Sequence, residues 1–262
     1  MTAFEHASRA TKGARNYQED TALTWPGDDP FVPAGGSRAN GAGGLVAVLA
    51  DGMGGHAGGA IASRTVCENF LETCVGHAGQ NRDRLVAGLE AANEAIAAMV
   101  KTSPGLSGMG STLVGTVFGA DGLEWVSVGD SPLLLYRRGE IAVLNEDHSL
   151  APELDRMAAA GHISEEQARH DPRRHMLRSA VTGDDLDLVD VSRMPLRIEP
   201  GDYVILASDG LQTLETSEVE RIVTAYAPDG ASAVAGALIR AVEAIRDPHQ
   251  DNTTVVAVRL LT

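Results

Sequence analysis

Lysine is almost absent from this 262-residue chain: Lys12 and Lys101 are its lysines, and arginine carries the rest of the basic charge. Basic side chains total 21 against 36 acidic ones, a net charge of −15 at pH 7. Nucleic acid and anionic membranes both require basic surface, so neither is expected as a partner. No apolar run approaches the ~18 residues that a membrane-spanning helix needs. Glu5, Arg9 and Lys12 interrupt the start of the chain before an apolar segment can form, so no secretory leader is expected. Cysteine is equally sparse. Cys67 and Cys74 share one face of a predicted helix and read as reduced core residues of a cytoplasmic protein. No Pro/Gly/Ser-rich linker divides the chain and no fixed-period repeat is present. With 44% apolar residues, residues 1–262 are expected to form one large domain.

What the chain does have is a stretch at residues 44–59, GLVAVLADGMGGHAGG. The apolar run Leu45–Ala50 reads as a buried strand that ends in Asp51. The glycines that follow allow a sharp turn and a close approach of backbone to a ligand. Around it, short strands are expected at residues 4–10, 21–25, 111–119, 123–128, 133–137, 141–144, 186–191, 203–207 and 253–260. Helical periodicity covers residues 60–75, 81–101, 217–226 and 231–246, and residues 26–43 read as loop. Residues 150–185 are polar and partly helical, an excursion over the surface. Many strands without strict βαβ alternation imply an α+β fold: two mainly antiparallel sheets in a central sandwich, with helices on the outer faces.

The device at Asp51 recurs. WVSVG ends in Asp130, YVILAS ends in Asp209, Asp251 opens TTVVAV, and Glu19-Asp20 precedes TALTW. Each acid alone is an ordinary turn former or cap. Together they suggest an oxygen-only site for Mg²⁺ or Mn²⁺, since clustered carboxylates repel unless cations neutralise them. Zinc spacing of Cys or His is lacking near them. Gly52-Met53-Gly54-Gly55-His56-Ala57 fits a loose dinucleotide-binding pattern, but a second helix follows its helix and no strand-end acid stands at the ribose distance.

The ordered set of Arg15 with Glu19-Asp20, DGMGGH (51–56), GMGSTLV (108–114), VGDSPLLLYRRGEI (128–141), EDHSL (146–150), EPGDYVILASDGL (199–211) and DNTTVVAV (251–258) resembles the metal-dependent type 2C Ser/Thr protein phosphatases in their compact bacterial form. The resemblance spans nearly the whole chain. It implies helices outside two stacked sheets and a two-ion Mn²⁺ or Mg²⁺ centre at one end. Asp51 would bridge both ions, the Gly52 carbonyl would bind one, and Asp209 and Asp251 would complete the second site. Asp20 would hold water nearby, and Asp130 with Asp209 would take a third, weaker ion. Arg15 would pair with substrate phosphate. The activity implied is hydrolysis of phosphoserine and phosphothreonine by in-line attack of a hydroxide held between the two ions. Its partners would be phosphorylated proteins, a cognate Ser/Thr kinase among them, met by a monomer.

The chain departs from parts of the family. Eukaryotic relatives carry His two residues after the bridging Asp, where Met53 stands here. His56 is the candidate acid for the leaving alcohol, with ordering of the loop as its alternative role. Gln18 stands where Asn is common, which should alter hydrogen bonding around Arg15, and Pro132 stands where Arg is common. His148 is expected to be structural. Residues 150–185 match the flap beside the active site, whose Arg173, Arg174 and Arg178 face either an acidic or phosphorylated substrate or solvent. Two other functions remain open at this point: a catalytically silent phosphoprotein-binding regulator of the same fold, and a small-molecule phosphomonoesterase.

Overall fold

The computed structural model describes residues 3–27, 31–33, 44–55 and 57–261. Strands β1 (Ala3–Thr11), β2 (Thr21–Trp25), β3 (Phe31–Pro33), β4 (Leu45–Ala50) and β5 (Gly52–Met53) precede the helices α1 (Ala57–Gly76) and α2 (Asn81–Thr102). Strands β6 (Gly110–Ser111), β7 (Leu113–Gly119), β8 (Gly122–Val128), β9 (Leu133–Arg137) and β10 (Glu140–Val143) follow. Helices α3 (Ala151–Ala159) and α4 (Glu165–Arg169) lead to β11 (Asp190–Val191) and β12 (Tyr203–Ala207). Helices α5 (Thr216–Tyr226) and α6 (Ala231–Ile245) and strand β13 (Thr253–Leu260) complete the order.

A six-stranded sheet runs β10-β9-β12-β13-β1-β3 and a five-stranded sheet runs β11-β8-β7-β4-β2. All pairings within both are antiparallel. Strand β4 shows why its sequence is apolar at every position. Leu45, Ala47 and Leu49 pack between the sheets with Leu133, Leu206 and Val256. The alternate residues Val46, Val48 and Ala50 pack under α1 and α2 with Val66, Phe70 and Leu89. Side chains alternate faces along a strand, so a strand covered on both sides has no position left for a polar residue. Strand β12 repeats the rule: Val204 and Leu206 face the other sheet, while Ile205 and Ala207 face Val234 and Leu238 of α6. Each such Val or Leu contributes roughly 1.5–3 kcal/mol on burial, which makes these central strands the firm part of the molecule. The layers are helix, sheet, sheet, helix, as the α+β sandwich reading requires.

The differences from expectation are local and have physical causes. The expected strand at 111–119 is broken at Thr112, whose N–H donates to the Asp51 carbonyl at 2.9 Å. The expected strand at 186–191 shrinks to β11, because the Ser179 hydroxyl satisfies both the N–H and the carbonyl of Leu188. Within the expected loop at 26–43, Phe31–Pro33 pairs with β1 as an edge strand. The excursion at 150–185 is more firmly anchored than a purely surface segment. Val181 is fully buried in the core under α1 and α2 and pairs with Ser111, and Leu177 pairs with Ser149. Cys67 and Cys74 are free and buried, and burial pushes the Cys74 thiol up to about 11.

Candidate active site

An antiparallel ladder sets the start of one strand beside the end of its neighbour. Thr21 pairs with Ala50, Leu113 with Val128, and Ala207 with Val255. With Thr11 paired to Thr253 at the start of β13, the residues one or two steps beyond these strand ends emerge on the same edge: Asp20, Asp51, Thr112, Asp130, Asp209 and Asp251. A cleft of about 710 Å³ opens there, lined by Arg15, Asp51, Gly52, Asp130, Asp209 and Asp251 among others. Asp20 lies behind this lining and is 8% exposed.

The backbone that presents these acids is held by short polar side chains. The Asp51 N–H donates to Thr112 Oγ1 at 3.0 Å, and its carbonyl accepts the Ser111 hydroxyl at 2.7 Å. Thr112 Oγ1 and Ser131 Oγ are also within hydrogen-bond distance, at 2.8 Å. Asn252 donates to the carbonyls of Lys12 and Tyr17 and accepts the Glu19 N–H, which ties the segment between β1 and β2 onto the start of β13. Ser208 donates to Asp20 Oδ2 at 2.8 Å while accepting the Thr254 N–H at 2.9 Å. Gly52 and Gly59 touch so closely that a Cβ on Gly52 would collide with the Gly59 carbonyl, and one on Gly59 would press on the Gly52 carbonyl oxygen. Both positions demand glycine, and the bare Cα of Gly59 keeps the Gly52 oxygen uncovered.

Crowding of buried carboxylates sets the electrostatics. Burial, then repulsion from Asp20 and Asp209, holds Asp51 well above the usual carboxylate range. Burial and Asp251 raise Asp209, against the opposing fields of His175 and Arg15. Burial pushes Asp130 up to about 7, with Asp209 and Asp147 adding repulsion. Asp20 is pushed up to about 6, again chiefly by burial, despite the Ser208 hydrogen bond. Asp20 Oδ1 and Asp209 Oδ1 are buried with no hydrogen-bond partner. Such oxygens are costly in a dry setting unless a proton or cation takes them. Among the described residues no three His, Cys, Asp or Glu side chains close on one point as a complete cage would. The acids and the Gly52 carbonyl offer oxygen donors, which suit Mg²⁺ or Mn²⁺ with several retained waters better than zinc.

Arg15 reaches the same edge: its Nη2 lies 2.6 Å from Asp251 Oδ2, with both side chains roughly half exposed. Gln18 does not turn toward Arg15 but donates to Thr254 Oγ1 at 3.1 Å. Of the flap arginines, Arg178 borders the cleft. Arg174 faces a neighbouring groove and pairs with Asp155, and Arg173 pairs with Asp171. His148 is buried, accepts the Gly129 N–H at Nδ1, and donates its backbone N–H to the Gly129 carbonyl. Pro132 contributes its carbonyl to the Ala207 N–H. His56 lies outside the described residues. Sequence reasoning passed over Thr112, Ser208 and His175. Thr112 sat inside an apparent strand, Ser208 carried no chemical signal of its own, and His175 was one of three histidines in a polar stretch.

A family model described as protein phosphatase 2C matches residues 26–232. The serine/threonine protein phosphatase PstP of Mycobacterium tuberculosis is 34% identical over 217 residues, which cover 82% of this chain and 40% of that protein. The chain thus spans well under half the length of that relative. A serine/threonine phosphatase of Listeria innocua is 32% identical over 184 residues, 68% of this chain and 71% of its own length. Among solved structures, the catalytic domain of PstP in complex with two manganese ions superposes with a TM-score of 0.76 at 27% identity, covering 100% of both chains. The chain belongs to the protein phosphatase 2C family.

Proposed function

We propose that this protein is a Mn²⁺- or Mg²⁺-dependent Ser/Thr phosphoprotein phosphatase, a single phosphatase domain over residues 1–262. The observation that carries the reading is the carboxylate edge, with the unpartnered buried oxygens of Asp20 and Asp209 beside the half-exposed Arg15. Asp51 would serve two core ions, the Gly52 carbonyl one of them, and Asp209 with Asp251 the second. Asp20 stands behind as an acceptor for water, and Asp130 with Asp209 would hold a third, weaker ion. The two-manganese complex of PstP supports that assignment by analogy. When bound, the ions would supply a nucleophilic water and offset the charge on the phosphoryl oxygens.

The chain's own residues do the rest. Arg15 presents a planar donor fork to the phosphoryl group, and its exposure lets it exchange Asp251 for substrate. Thr112, Ser131 and Ser208 fix the acids so that no reorganisation accompanies the reaction. The departing alkoxide needs a proton, and His56 is the sequence-derived candidate to deliver it. The substrates would be Ser/Thr-phosphorylated proteins, a cognate kinase among them, met by a cytoplasmic monomer. Among the described residues no helix is long and apolar enough to cross a membrane.

Phosphate release from a phosphothreonine peptide, with and without Mn²⁺ and against a chelator, tests the proposal. Metal-dependent release is the expected result. Folded protein that releases nothing with any divalent ion would instead be a silent regulator. Release from a small aryl phosphate but from no peptide would mark a small-molecule phosphomonoesterase.

A further inference from the structure

Beside the cleft lies a second groove of about 580 Å³, and Asp130 borders both. Leu134, Leu211, Leu214 and Val219 form its floor at 2–7% exposure, so its open apolar surface is Pro132 and Val143, the latter 60% exposed at the lip. Its walls come from the β9–β10 hairpin, from the turn between β12 and α5, and from the flap through Asp155 and Arg174. Arg174 is fully engaged by Asp155, with hydrogen bonds of 2.7 and 2.9 Å. The remaining charges on the groove are Glu146, Asp147 and Glu215. None of these three forms a salt bridge among the described residues.

We propose that this groove docks the polypeptide of the phosphoprotein substrate on one side of its phosphoresidue, and selects a segment that combines an apolar side chain with lysine or arginine. The proposal rests on the phosphatase reading and deepens it. Two observations point to this occupant. The first is continuity: an extended chain covers roughly 3.3–3.6 Å per residue, so a peptide whose phosphate sits in the cleft enters the groove past Asp130 within a few residues. The second is charge. The cleft brings Arg15 and Arg178 to the phosphate among its own acids, whereas the groove carries Glu146, Asp147 and Glu215 outside any salt bridge among the described residues, and its one arginine, Arg174, is held by Asp155. A peptide with a phosphate at one point and a basic residue a few positions away satisfies both. A free phosphomonoester satisfies only the first and leaves the apolar lining wet. Arg174 then acts through Asp155, fixing the flap wall of the groove instead of contacting phosphate.

The test uses the full chain loaded with Mn²⁺ and a set of phosphothreonine peptides in which arginine, glutamate or alanine is scanned along both sides of the phosphoresidue. Turnover is read as kcat/KM relative to a small aryl phosphate, and binding is read by anisotropy of labelled peptides. Wild type should favour arginine over glutamate on one side only. In the Glu146→Gln/Glu215→Gln double variant, that preference should fall roughly five-fold, the scale of two exposed ion pairs. Val143→Ser should lower kcat/KM for peptides with an apolar residue on the same side. Both acids and Val143 are exposed, so the variants are expected to fold, and their melting temperatures check it. Turnover without any charge preference, or a preference unchanged in the double variant, overturns docking while leaving the phosphatase reading intact. Charge-selective binding lost in the double variant, with no turnover of any substrate, would overturn the phosphatase reading and keep the groove.

Discussion

Asp209 and Arg173 were both legible as site residues, yet they sit in opposite surroundings. Asp209 leaves the end of β12, which has sheet on either side and α6 above it, and one of its oxygens is buried without a partner. Arg173 projects from an exposed turn of the flap and satisfies its guanidinium on Asp171, two residues away. The same contrast separates the whole floor of the cleft from its flap wall. Floor acids are placed by strand ends that the core cannot move without losing packing, so burial and repulsion persist as raised proton affinity at Asp20, Asp51, Asp130 and Asp209. Flap charges are free to find partners within the flap, and Arg173 and Arg174 have done so. A polar group that the fold prevents from satisfying itself is therefore the better marker of chemistry here than charge alone.

The largest effect should come from the floor. Asp209→Asn is expected to lower kcat by roughly 10² or more, the scale set by removing one group that stabilises transition-state charge. The fold should remain, because the variant removes repulsion from Asp251. Near-normal turnover would remove Asp209 from the chemistry and erase the contrast with the flap.

A second effect separates floor from flap through pH. Asp20 and Asp130 have folded-state values raised to about 6 and about 7. An unfolded chain would hold them at roughly 3.9. A raised carboxylate binds its proton more tightly when folded, so its contribution is fully present below roughly pH 3.9 and is lost as pH rises through the folded value. Each of these groups then costs the metal-free protein on the order of 3 kcal/mol at pH 8. Asp171 in the flap has the opposite sign, since Arg173 lowers it to about 2. Metal-free Asp130→Asn should melt above wild type at pH 8 and close to it near pH 4. Identical differences at both pH values would show that Asp130 is not under strain from its charge.

The sequence carried the floor well, and the reason is structural. A strand covered on both faces must be apolar throughout, so LVAVLA and YVILA stand out, and the acid that ends such a run is visible as the point where burial stops. The antiparallel arrangement then brings those ends to one edge. What escaped notice was whatever depends on a single side chain meeting a distant backbone. Thr112 breaks a strand because it bonds Asp51, and Ser208 supports Asp20 across the sandwich, yet neither spacing nor composition marks them. The flap arginines show the converse failure. Their charge is visible in the sequence, but the pairing of two of them with Asp155 and Asp171 depends on how the flap folds.

Arg15 lies between the two regimes, half exposed but paired to the floor through Asp251. Arg15→Ala should raise KM for phosphopeptides roughly ten-fold or more, the value of a charge-assisted hydrogen bond to phosphate, with a smaller change in kcat. An unchanged KM would place Arg15 with the flap charges.

The smallest effects should sort the flap itself. Arg178 borders the cleft and lies 3.8 Å from Glu153, too far for a strong pair, so its guanidinium is available to a substrate. Arg178→Ala is expected to raise KM for a phosphopeptide roughly two-fold, in keeping with one exposed ion pair, and to leave the melting temperature alone. Arg173→Ala should change neither, because its partner is local and its side chain is 66% exposed away from the cleft lining. Steady-state kinetics on both variants, side by side, make the comparison. An Arg173 effect equal to that of Arg178 would mean that the flap acts as one charged body rather than through the arginine that reaches the cleft.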